Sequence, residues 1–220
     1  MKTLSVNKNM FTRRDDIRGI VVDSAGPTAI IEHGCALQGE PMNISVILAH
    51  PRPGSFNHAI AETAARALSG RGHTPIVHDL YRERFDPLLP AGEIARNAEV
   101  DPVIALHCRE LMDCGGILIV HPNWWGQPPA ILKGWIDRVI RPGVAYEFST
   151  GDSGEGVPAG LLAGKRAVVF NTSDTPAERE REVFGDPLES IWKQCVFDFC
   201  GVRDVYRRTF GVIVTSTPEE

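Results

Sequence analysis

The sequence lacks any apolar run that approaches the roughly 20 residues a helix needs to cross a bilayer. It also lacks a basic excess, since 23 Lys and Arg residues are outnumbered by 28 Asp and Glu residues and the formal net charge is −5. Proteins that bind nucleic acid usually carry a strong excess of basic residues. The first absence excludes a membrane-embedded protein, and the second argues against nucleic acid as a partner.

Cysteine is scarce, and its five occurrences have no framework spacing. An odd number of cysteines without such spacing favours a reduced, cytoplasmic compartment. Neither His107-Cys108 with Cys114 nor Cys195 with Cys200 has the paired short spacing of a zinc site, so no metal is expected. The first residues also lack the apolar core of a secretory signal.

Hydrophobic residues make up 43% and charged residues 23% of the 220 residues, which is typical of one globular domain plus an appendage. The pattern changes at Met42. Residues 1–41 are predicted to be a disordered or loosely packed leader. A β-hairpin is the alternative there, because two short apolar runs flank a Gly-Pro turn. Residues 42–220 are predicted to be the folded domain, and its last residues resemble a helix start, so a closing helix is expected to be missing.

Short apolar strands alternate with helices from residue 43 onward. The predicted strands cover residues 44–49, 74–80, 116–121, 166–171 and 205–214, and the predicted helices cover residues 59–68, 101–112, 129–140 and 186–199. Strands that are apolar throughout predict a parallel sheet buried on both faces. Right-handed crossovers then give a doubly wound α/β fold, with a five-stranded sheet of order 2-1-3-4-5 and helices on both faces.

Ligands of such sheets bind beyond the carboxyl ends of the strands, where the strand order reverses. For this order, the loops at that point are residues 50–57 and 121–129. In the first loop, Ser55 and Asn57 can donate or cap, and the following helix start attracts anions. His50 and Arg52 add charge-assisted donors. The loop therefore predicts a phosphate site, with an ordinary capped turn as the alternative.

The second loop places Trp124 and Trp125 directly after a buried strand. They could form a wall for a flat aromatic ligand, or both could belong to the core. Because successive strand residues point to opposite sides, at most one is expected in the core while the other faces the crevice. A phosphate loop beside an aromatic loop indicates a nucleotide with a large planar ring, a flavin more readily than a nicotinamide.

Three stretches carry a family resemblance. They are His50-x-x-x-x-Ser55-Phe56-Asn57, then Asp79-Leu80-Tyr81 with Phe85-Asp86-Pro87, and residues 121–138 followed by Gly143-Val-Ala-Tyr146. From residue 43 to the C-terminus, the chain resembles the flavodoxin-like NAD(P)H:quinone oxidoreductases. This group includes the quinone reductases, the modulator of drug activity enzymes and the ancillary subunits of potassium efflux systems.

The resemblance implies a flavodoxin-like fold, FMN or FAD as cofactor, NAD(P)H as co-substrate and a homodimer. It also implies a ping-pong enzyme: hydride passes from NAD(P)H to the flavin, the oxidised nicotinamide leaves, and two electrons then pass to a quinone or a similar electron-poor small molecule. The flavin carries the chemistry, so no catalytic side chain is assigned.

The resemblance also implies three sets of cofactor-binding residues. His50, Ser55, Phe56 and Asn57, with Arg52 beside them, would hold the flavin phosphate. The isoalloxazine would be bordered by Pro122, Asn123, Trp124, Trp125 and Gly126. The turn after the fourth strand, Asn171, Thr172 and Ser173, would face the N1/O2 edge of the ring. Tyr146 and Phe148 would line the pocket of the opposite subunit.

Two departures from the family pattern stand out. The turn after the fourth strand contains Asp174 where related chains have a Thr-Thr-Gly-Gly-like segment, and a carboxylate near N1 would oppose a reduced flavin. Asp174 is therefore expected to point away or to cap the following helix. Phe184 lies where mammalian enzymes have a His thought to relay protons, so protons are expected from solvent or from the substrate's surroundings.

Two other functions remain open from the sequence. One is a flavin-binding regulatory subunit of a potassium efflux system, which would dock on a membrane protein. The other is a flavodoxin-type electron carrier, which the mild acidity disfavours.

Overall fold

The computed structural model describes residues 40–148 and 158–216. Most of the predicted leader, the chain end at 217–220 and the closing helix expected beyond it lie outside these residues. Five parallel strands form the main sheet: β1 (Asn43–Leu48), β2 (Thr74–Asp79), β3 (Gly116–Pro122), β6 (Arg166–Thr172) and β7 (Asp204–Phe210). Two short strands, β4 (Tyr146–Glu147) and β5 (Ala159–Gly160), form a separate antiparallel pair.

The prediction of a five-stranded parallel sheet is confirmed. Its order is β2-β1-β3-β6-β7, which differs in numbering from the predicted 2-1-3-4-5 because β4 and β5 intervene in the chain. All seven residues of β3 are buried, and in β1 only Asn43 is exposed. This burial explains why both strands are mostly apolar, as expected for a parallel sheet.

The helices are α1 (Phe56–Ser69), α2 (Pro102–Asp113), α3 (Ala130–Val139), α4 (Ala177–Phe184) and α5 (Pro187–Glu189), with 3₁₀ turns at Ala91–Glu93 and Ile213–Thr215. Asp101 caps α2 as predicted, since its carboxylate accepts a hydrogen bond from Val103 N at 2.8 Å and Pro102 follows as the first helical residue.

Three element predictions need correction. The predicted helix at 186–199 is one α turn, α5, continued by a π-helix at Ser190–Asp198. The last strand ends at Phe210 rather than at residue 214, because a 3₁₀ turn follows. Helix α4 lies in a stretch where no helix boundaries were predicted, and its C-terminus is closed by Gly185 at φ 71°.

A buried ion pair holds the segment that precedes α2 against helix α3. The Arg138 guanidinium is 4% exposed and donates to both oxygens of Glu93, at 3.0 and 2.7 Å, and to the carbonyl of Asp86 at 2.7 Å. These hydrogen bonds from Arg138 hold the pKa of Glu93 below its usual range, despite burial. The bidentate geometry stabilises a charge that would otherwise be costly to bury.

A second buried cluster joins β2, the following turn and α2. His78 hydrogen-bonds Glu83 at 3.0 Å and Glu110 at 2.5 Å, and His107 Nε2 lies 3.5 Å from Glu83. The metal-ligating atoms of His78, Glu83 and His107 lie within 4.8 Å of one another. However, the Trp135 indole donates to His107 Nδ1 at 3.1 Å, so Nε2 of the neutral ring must carry the proton. That nitrogen then has no lone pair for a metal, and the cluster is a hydrogen-bond network.

This network predicts a pH-dependent stability. Burial alone would lower the pKa of His78 and raise that of Glu83. Hydrogen bonds reverse both directions: those with Glu83 and Glu110 raise the pKa of His78 above 6.5, and those with His107 and His78 lower the pKa of Glu83 to about 2. The contribution of Glu83 is lost as pH falls from its unfolded value toward about 2. The contribution of His78 is complete below 6.5 and is lost as pH rises through its raised folded value.

We therefore expect His78→Asn to lower the free energy of unfolding by about 1–3 kcal/mol at about pH 5.5, and by clearly less at about pH 9. Urea unfolding of both proteins at the two pH values measures the difference. An equal loss at both values would contradict the assignment of His78 as a protonated, paired ring.

Candidate functional site

The carboxyl ends of β1 and β3 lie side by side at the point where the strand order reverses. Leu48 pairs with Val120, and Ala49 N donates to Val120 O at 2.9 Å. The loops that leave these strands therefore start as neighbours. Their first aromatic residues remain close, since the ring centroids of His50 and Trp124 lie 6.3 Å apart.

The first loop ends in a capped helix start. Ser55 is the N-cap of α1, with extended backbone angles, and its hydroxyl accepts from His58 N at 3.5 Å. Gly54 has φ 69°, which favours glycine, and a side chain there would meet open space. Arg52 is exposed, and burial lowers the pKa of His50. The first N–H groups of the helix have no intrahelical partner and can bind an anion.

Asn57 connects this helix start to the end of β6. It is 2% exposed, and its Nδ2 donates to Thr172 Oγ1 at 2.9 Å. Its amide oxygen is buried and has no hydrogen-bond partner among the described residues. Buried polar atoms are rarely left without a partner, so an unpaired acceptor at a helix start indicates a place for a ligand donor.

The second loop is a tight turn. Trp124 and Gln127 exchange backbone hydrogen bonds of 3.1 and 3.0 Å, while Trp125 and Gly126 have φ values of 57° and 71°. Two successive positive φ values are typical of a type I′ turn. Trp124 is 42% and Trp125 101% exposed, so the alternative that both indoles belong to the core is wrong. The chain leaves the strand geometry before Trp124, which is why strand alternation does not describe this pair.

Asn123 fastens the second loop to β6 and α4. Its backbone N–H donates to Thr172 O at 2.6 Å, and its Nδ2 donates to the buried carboxylate of Glu180 at 3.0 Å. The amide oxygen of Asn123 is the second buried acceptor without a partner among the described residues. Thr172 therefore contacts both loops, through its hydroxyl and its carbonyl.

The base of the second loop is rigid and uncharged. His121 is fully buried; its Nε2 accepts from the Trp192 indole at 2.9 Å, and its Nδ1 lies 2.8 Å from the carbonyl of Pro122. Burial lowers the pKa of His121 to about 4, which keeps the ring neutral. Further along, a Cβ on Gly126 would lie 2.7 Å from Pro187, so this turn also packs closely against α5.

The side chains of the turn after β6 are engaged in hydrogen bonds with β7 and with the turn itself. The Asn171 side chain is engaged with β7, since its oxygen accepts from Arg207 and its nitrogen donates to Thr209, both at 2.9 Å. Ser173 Oγ accepts from Thr175 N at 3.0 Å, and Ser173 N donates to Phe210 O at 2.8 Å. Of the three residues predicted here, Thr172 is the only one that hydrogen-bonds the other two loops within the described part of the chain, through Asn57 and Asn123.

Asp174 turns away from the helix that follows it. Its Oδ1 accepts from Val214 N at 2.9 Å and so holds the 3₁₀ turn after β7. The alternative that Asp174 caps the next helix is wrong, because α4 has Pro176 at its N-cap and no side-chain cap bond among the described residues.

Tyr146 and Phe148 form a separate aromatic cluster. Their rings lie 5.8 Å apart, Tyr146 packs on Phe199 at 4.9 Å, and the Arg96 guanidinium lies 4.8 Å from the Phe148 centroid. Their ring contacts in the described part of the chain are with this cluster and not with the two loops. Phe184, at the end of α4, is 52% exposed.

Sequence reasoning missed three residues that shape the site. Glu180 orients Asn123, Arg207 orients Asn171, and His58 lies between Ser55 and Asp79 at 2.9 and 3.3 Å. His58 directly follows the motif that ends at Asn57, and Asp79 is the first residue of a second motif, so their places in the sequence were the available signal. Glu180 gave none, because it lies in a run of charges typical of a solvated surface.

Fold and site together define an α/β protein with a five-stranded parallel sheet, in which the loops after β1 and β3 lie together where the strand order reverses. The family model described as "Flavodoxin-like fold" matches residues 42–219, and the chain belongs to this family. It is 32% identical over 179 residues to an uncharacterized NAD(P)H oxidoreductase of Haemophilus influenzae, covering 78% of this chain and 85% of that protein.

Solved structures show the same similarity. The NAD(P)H:quinone oxidoreductase from Methanothermobacter marburgensis superposes with a TM-score of 0.67 at 27% identity, over 80% of this chain and 88% of that one. An FMN-dependent NADH-azoreductase from Bacillus anthracis, in complex with FMN, shares the fold alone, with a TM-score of 0.60 at 16% identity over 76% of this chain and 86% of that one. Within the described residues, no helix is long and apolar enough to span a membrane.

Proposed function

We propose that this protein is a flavin-dependent NAD(P)H oxidoreductase that reduces quinones or similar electron-poor small molecules by a ping-pong mechanism. The observation that carries the proposal is that the start of α1 and the turn at residues 124–127 meet at Thr172. Asn57 connects the start of α1 to Thr172, and Asn123 connects the turn to it. The relatives support it, since two of them are named NAD(P)H oxidoreductase and NAD(P)H:quinone oxidoreductase, and a protein of the same fold binds FMN.

The residues present fit a flavin. A phosphate suits the free N–H groups and positive dipole at the start of α1, next to His50 and Arg52. The buried oxygens of Asn57 and Asn123 lack partners among the described residues and can accept hydrogen bonds from ribityl hydroxyls or a ring N–H. Trp124, half-exposed beside His50, offers an apolar face to a flat ring.

When bound, a flavin supplies the two-electron chemistry that couples NAD(P)H oxidation to reduction of the acceptor. The first loop of this chain, with Phe56 at its helix start, would bind the phosphate end. Pro122, Asn123 and the turn of Trp125 and Gly126 would orient the ring. Thr172, with its neighbours Asn171 and Ser173, would face the far edge of the ring.

The chain holds no mobile proton at the base of the second loop. His121 is neutral, with its pKa lowered to about 4 by burial, and both ring nitrogens are engaged. Phe184 cannot carry a proton. We infer that solvent or the acceptor's surroundings protonate the product.

We further propose a homodimer in a reduced, cytoplasmic compartment, with residues 42–220 as the flavin domain and 1–41 as a leader. The free thiols of Cys108, Cys114, Cys195 and Cys200 support a reducing compartment. Full exposure of Trp125 and partial exposure of Tyr146 and Phe148 support an interface. The buried strand β3 supports helices on both faces of the sheet.

The decisive experiment is reconstitution of the purified protein with FMN and with FAD, followed by anaerobic addition of NADH or NADPH. We expect a yellow protein whose visible absorbance is bleached by a pyridine nucleotide and restored by a quinone. Failure to retain either flavin would contradict the cofactor. A retained flavin that neither nucleotide bleaches would leave the electron carrier or the regulatory subunit.

The two neighbouring tryptophans provide a matched pair of variants. We expect Trp124→Ala to weaken flavin binding by about three- to tenfold, because this indole packs beside His50 at the predicted ring position. Trp125→Ala should have less effect on a single subunit, because its side chain is fully exposed. Fluorescence titration with FMN measures both, and a larger loss in Trp125→Ala would contradict the placement of the ring.

A further inference from the structure

A chain of hydrogen bonds runs from the first loop to the end of β2. Ser55 Oγ lies 2.9 Å from His58 Nδ1, and His58 Nε2 lies 3.3 Å from Asp79 Oδ2. His58 and Asp79 have side chains only 13% and 19% exposed. The chain therefore joins the N-cap of α1, where the phosphate is proposed to bind, to a carboxylate on a neighbouring strand.

The proton positions in this chain follow from its chemistry. The Asp79 carboxylate only accepts hydrogen bonds, so His58 Nε2 carries a proton. When the ring is neutral, Nδ1 is an acceptor and takes the single hydroxyl proton of Ser55. Ser55 Oγ also accepts from His58 N, as the N-cap. In this state Ser55 has no proton left and presents only a lone pair to a phosphate.

Protonation of His58 reverses the direction of the bond. Nδ1–H then donates to Ser55 Oγ, and the hydroxyl proton is free to point out of the helix start toward an anion. Ser55 now accepts two hydrogen bonds and donates one, which uses its full capacity. The same oxygen changes from an acceptor that repels phosphate into a donor that binds it.

The charges around His58 favour this protonated state when a phosphate is present. Asp79 from β2 faces Nε2, and its other oxygen accepts from Arg82 N at 3.2 Å. From the first loop, the His50 ring lies with its centroid 6.2 Å away, and Arg52, two residues further on, carries a positive charge that opposes protonation. A phosphate bound at the start of α1 would offset that opposition, because it is an anion.

We propose that His58, held by Asp79, is a positioning residue that couples flavin phosphate binding to uptake of one proton from solvent at His58 Nδ1. This inference rests on the proposed flavin function and deepens it. Its consequence is that affinity for a phosphorylated flavin falls as pH rises, whereas affinity for riboflavin, which lacks the phosphate, does not depend on His58.

Calorimetric titration of the apo protein tests this, with FMN, FAD and riboflavin as probes in two buffers of different ionisation enthalpy. At about pH 8 we expect uptake of about one proton per FMN or FAD and none with riboflavin. Wild-type affinity for FMN should fall about tenfold between about pH 7.5 and about pH 8.5, because one proton taken up corresponds to a tenfold change per pH unit.

Variants assign the proton to its residue. His58→Gln should abolish the proton uptake and flatten the pH dependence to within about twofold. Asp79→Asn should reduce both the proton uptake and the pH dependence of FMN affinity, because the carboxylate no longer fixes the tautomer of His58. Ser55→Ala should also reduce both quantities, because the protonated ring then has no hydroxyl to direct at the phosphate. His73→Gln, directly before the amino-terminal end of β2 and so at the opposite end of this strand from Asp79, is the matched control and should behave as wild type.

The outcomes separate this inference from the function on which it rests. Flavin binding with the same proton uptake in wild type and His58→Gln, or equal weakening of riboflavin and FMN by that substitution, would overturn the inference alone. Failure of wild type to bind any flavin would overturn both. Circular dichroism confirms that each variant is folded, and Asp79→Asn supplies the test where His58→Gln does not fold.

Discussion

Asn57→Asp is expected to weaken FMN binding by at least about 100-fold while leaving the fold intact. The substitution keeps the side-chain shape but places a carboxylate at the second residue of α1, where the phosphate is proposed to bind. Two like charges about 4 Å apart at a buried site repel by several kcal/mol. The fold should tolerate the change, because a carboxylate in the first turn of a helix is favourable and Thr172 can reverse its hydrogen bond with residue 57.

Fluorescence titration of the apo protein with FMN and with riboflavin measures the effect. Riboflavin should lose much less affinity than FMN, because it lacks the phosphate. Asn97→Asp is the matched control, since it adds the same charge at an exposed position outside the loops and should change FMN affinity by no more than about twofold. An FMN affinity for Asn57→Asp within about twofold of wild type would exclude this helix start as the phosphate site.

The place of the site could be predicted from the sequence because it depends on strand order. Buried apolar runs indicate a parallel sheet, and a parallel sheet brings the carboxyl ends of its strands to one edge. That reasoning put the loops after β1 and β3 together, and the structure joins them through His50 and Trp124. The helix N-caps were equally predictable, because the side chains of Ser55 and Asp101 accept hydrogen bonds from backbone N–H groups no more than three residues away.

Contacts between distant elements could not be predicted in this way. Asn57 bonds Thr172, which is 115 residues away, and Asn123 bonds Glu180, which is 57 residues away. Nothing in the local pattern around Glu180 separates its buried carboxylate from the exposed charges beside it. The network of His78, Glu83, His107 and Glu110 likewise depends on how β2 and α2 pack, which the sequence spacing does not encode.

The orientation of the two tryptophans shows a third kind of limit. Alternation along a strand predicts opposite sides for neighbours, but the chain turns at Trp124 and both indoles are exposed. The turn needs positive φ at Trp125, which a bulky residue rarely adopts, so the residue type there falsely indicated extended structure. Such strain concentrates at functional sites, which agrees with a role for this turn in holding a ligand.

Arg138→Met is expected to lower the free energy of unfolding by about 3–5 kcal/mol, the largest stability loss among the substitutions considered. It removes both hydrogen bonds to Glu93, which is 8% exposed, and leaves that carboxylate buried without its cation. Arg141 cannot replace it, because its guanidinium contacts the carbonyls of Glu93 and Ala95. The segment 85–95 should loosen from α3 as a result.

Urea unfolding with linear extrapolation measures this loss. Lys133→Met on the same helix is the matched control: its ion pair with Asp137 is exposed, and its removal should cost no more than about 0.5 kcal/mol. The double variant Arg138→Met/Glu93→Leu should recover part of the stability, because an apolar pair of similar volume leaves no unpaired charge. If Arg138→Met and Lys133→Met lost equal amounts of unfolding free energy, the buried ion pair would not stabilise this segment. The desolvation cost of burying Arg138 and Glu93 would then cancel their mutual attraction.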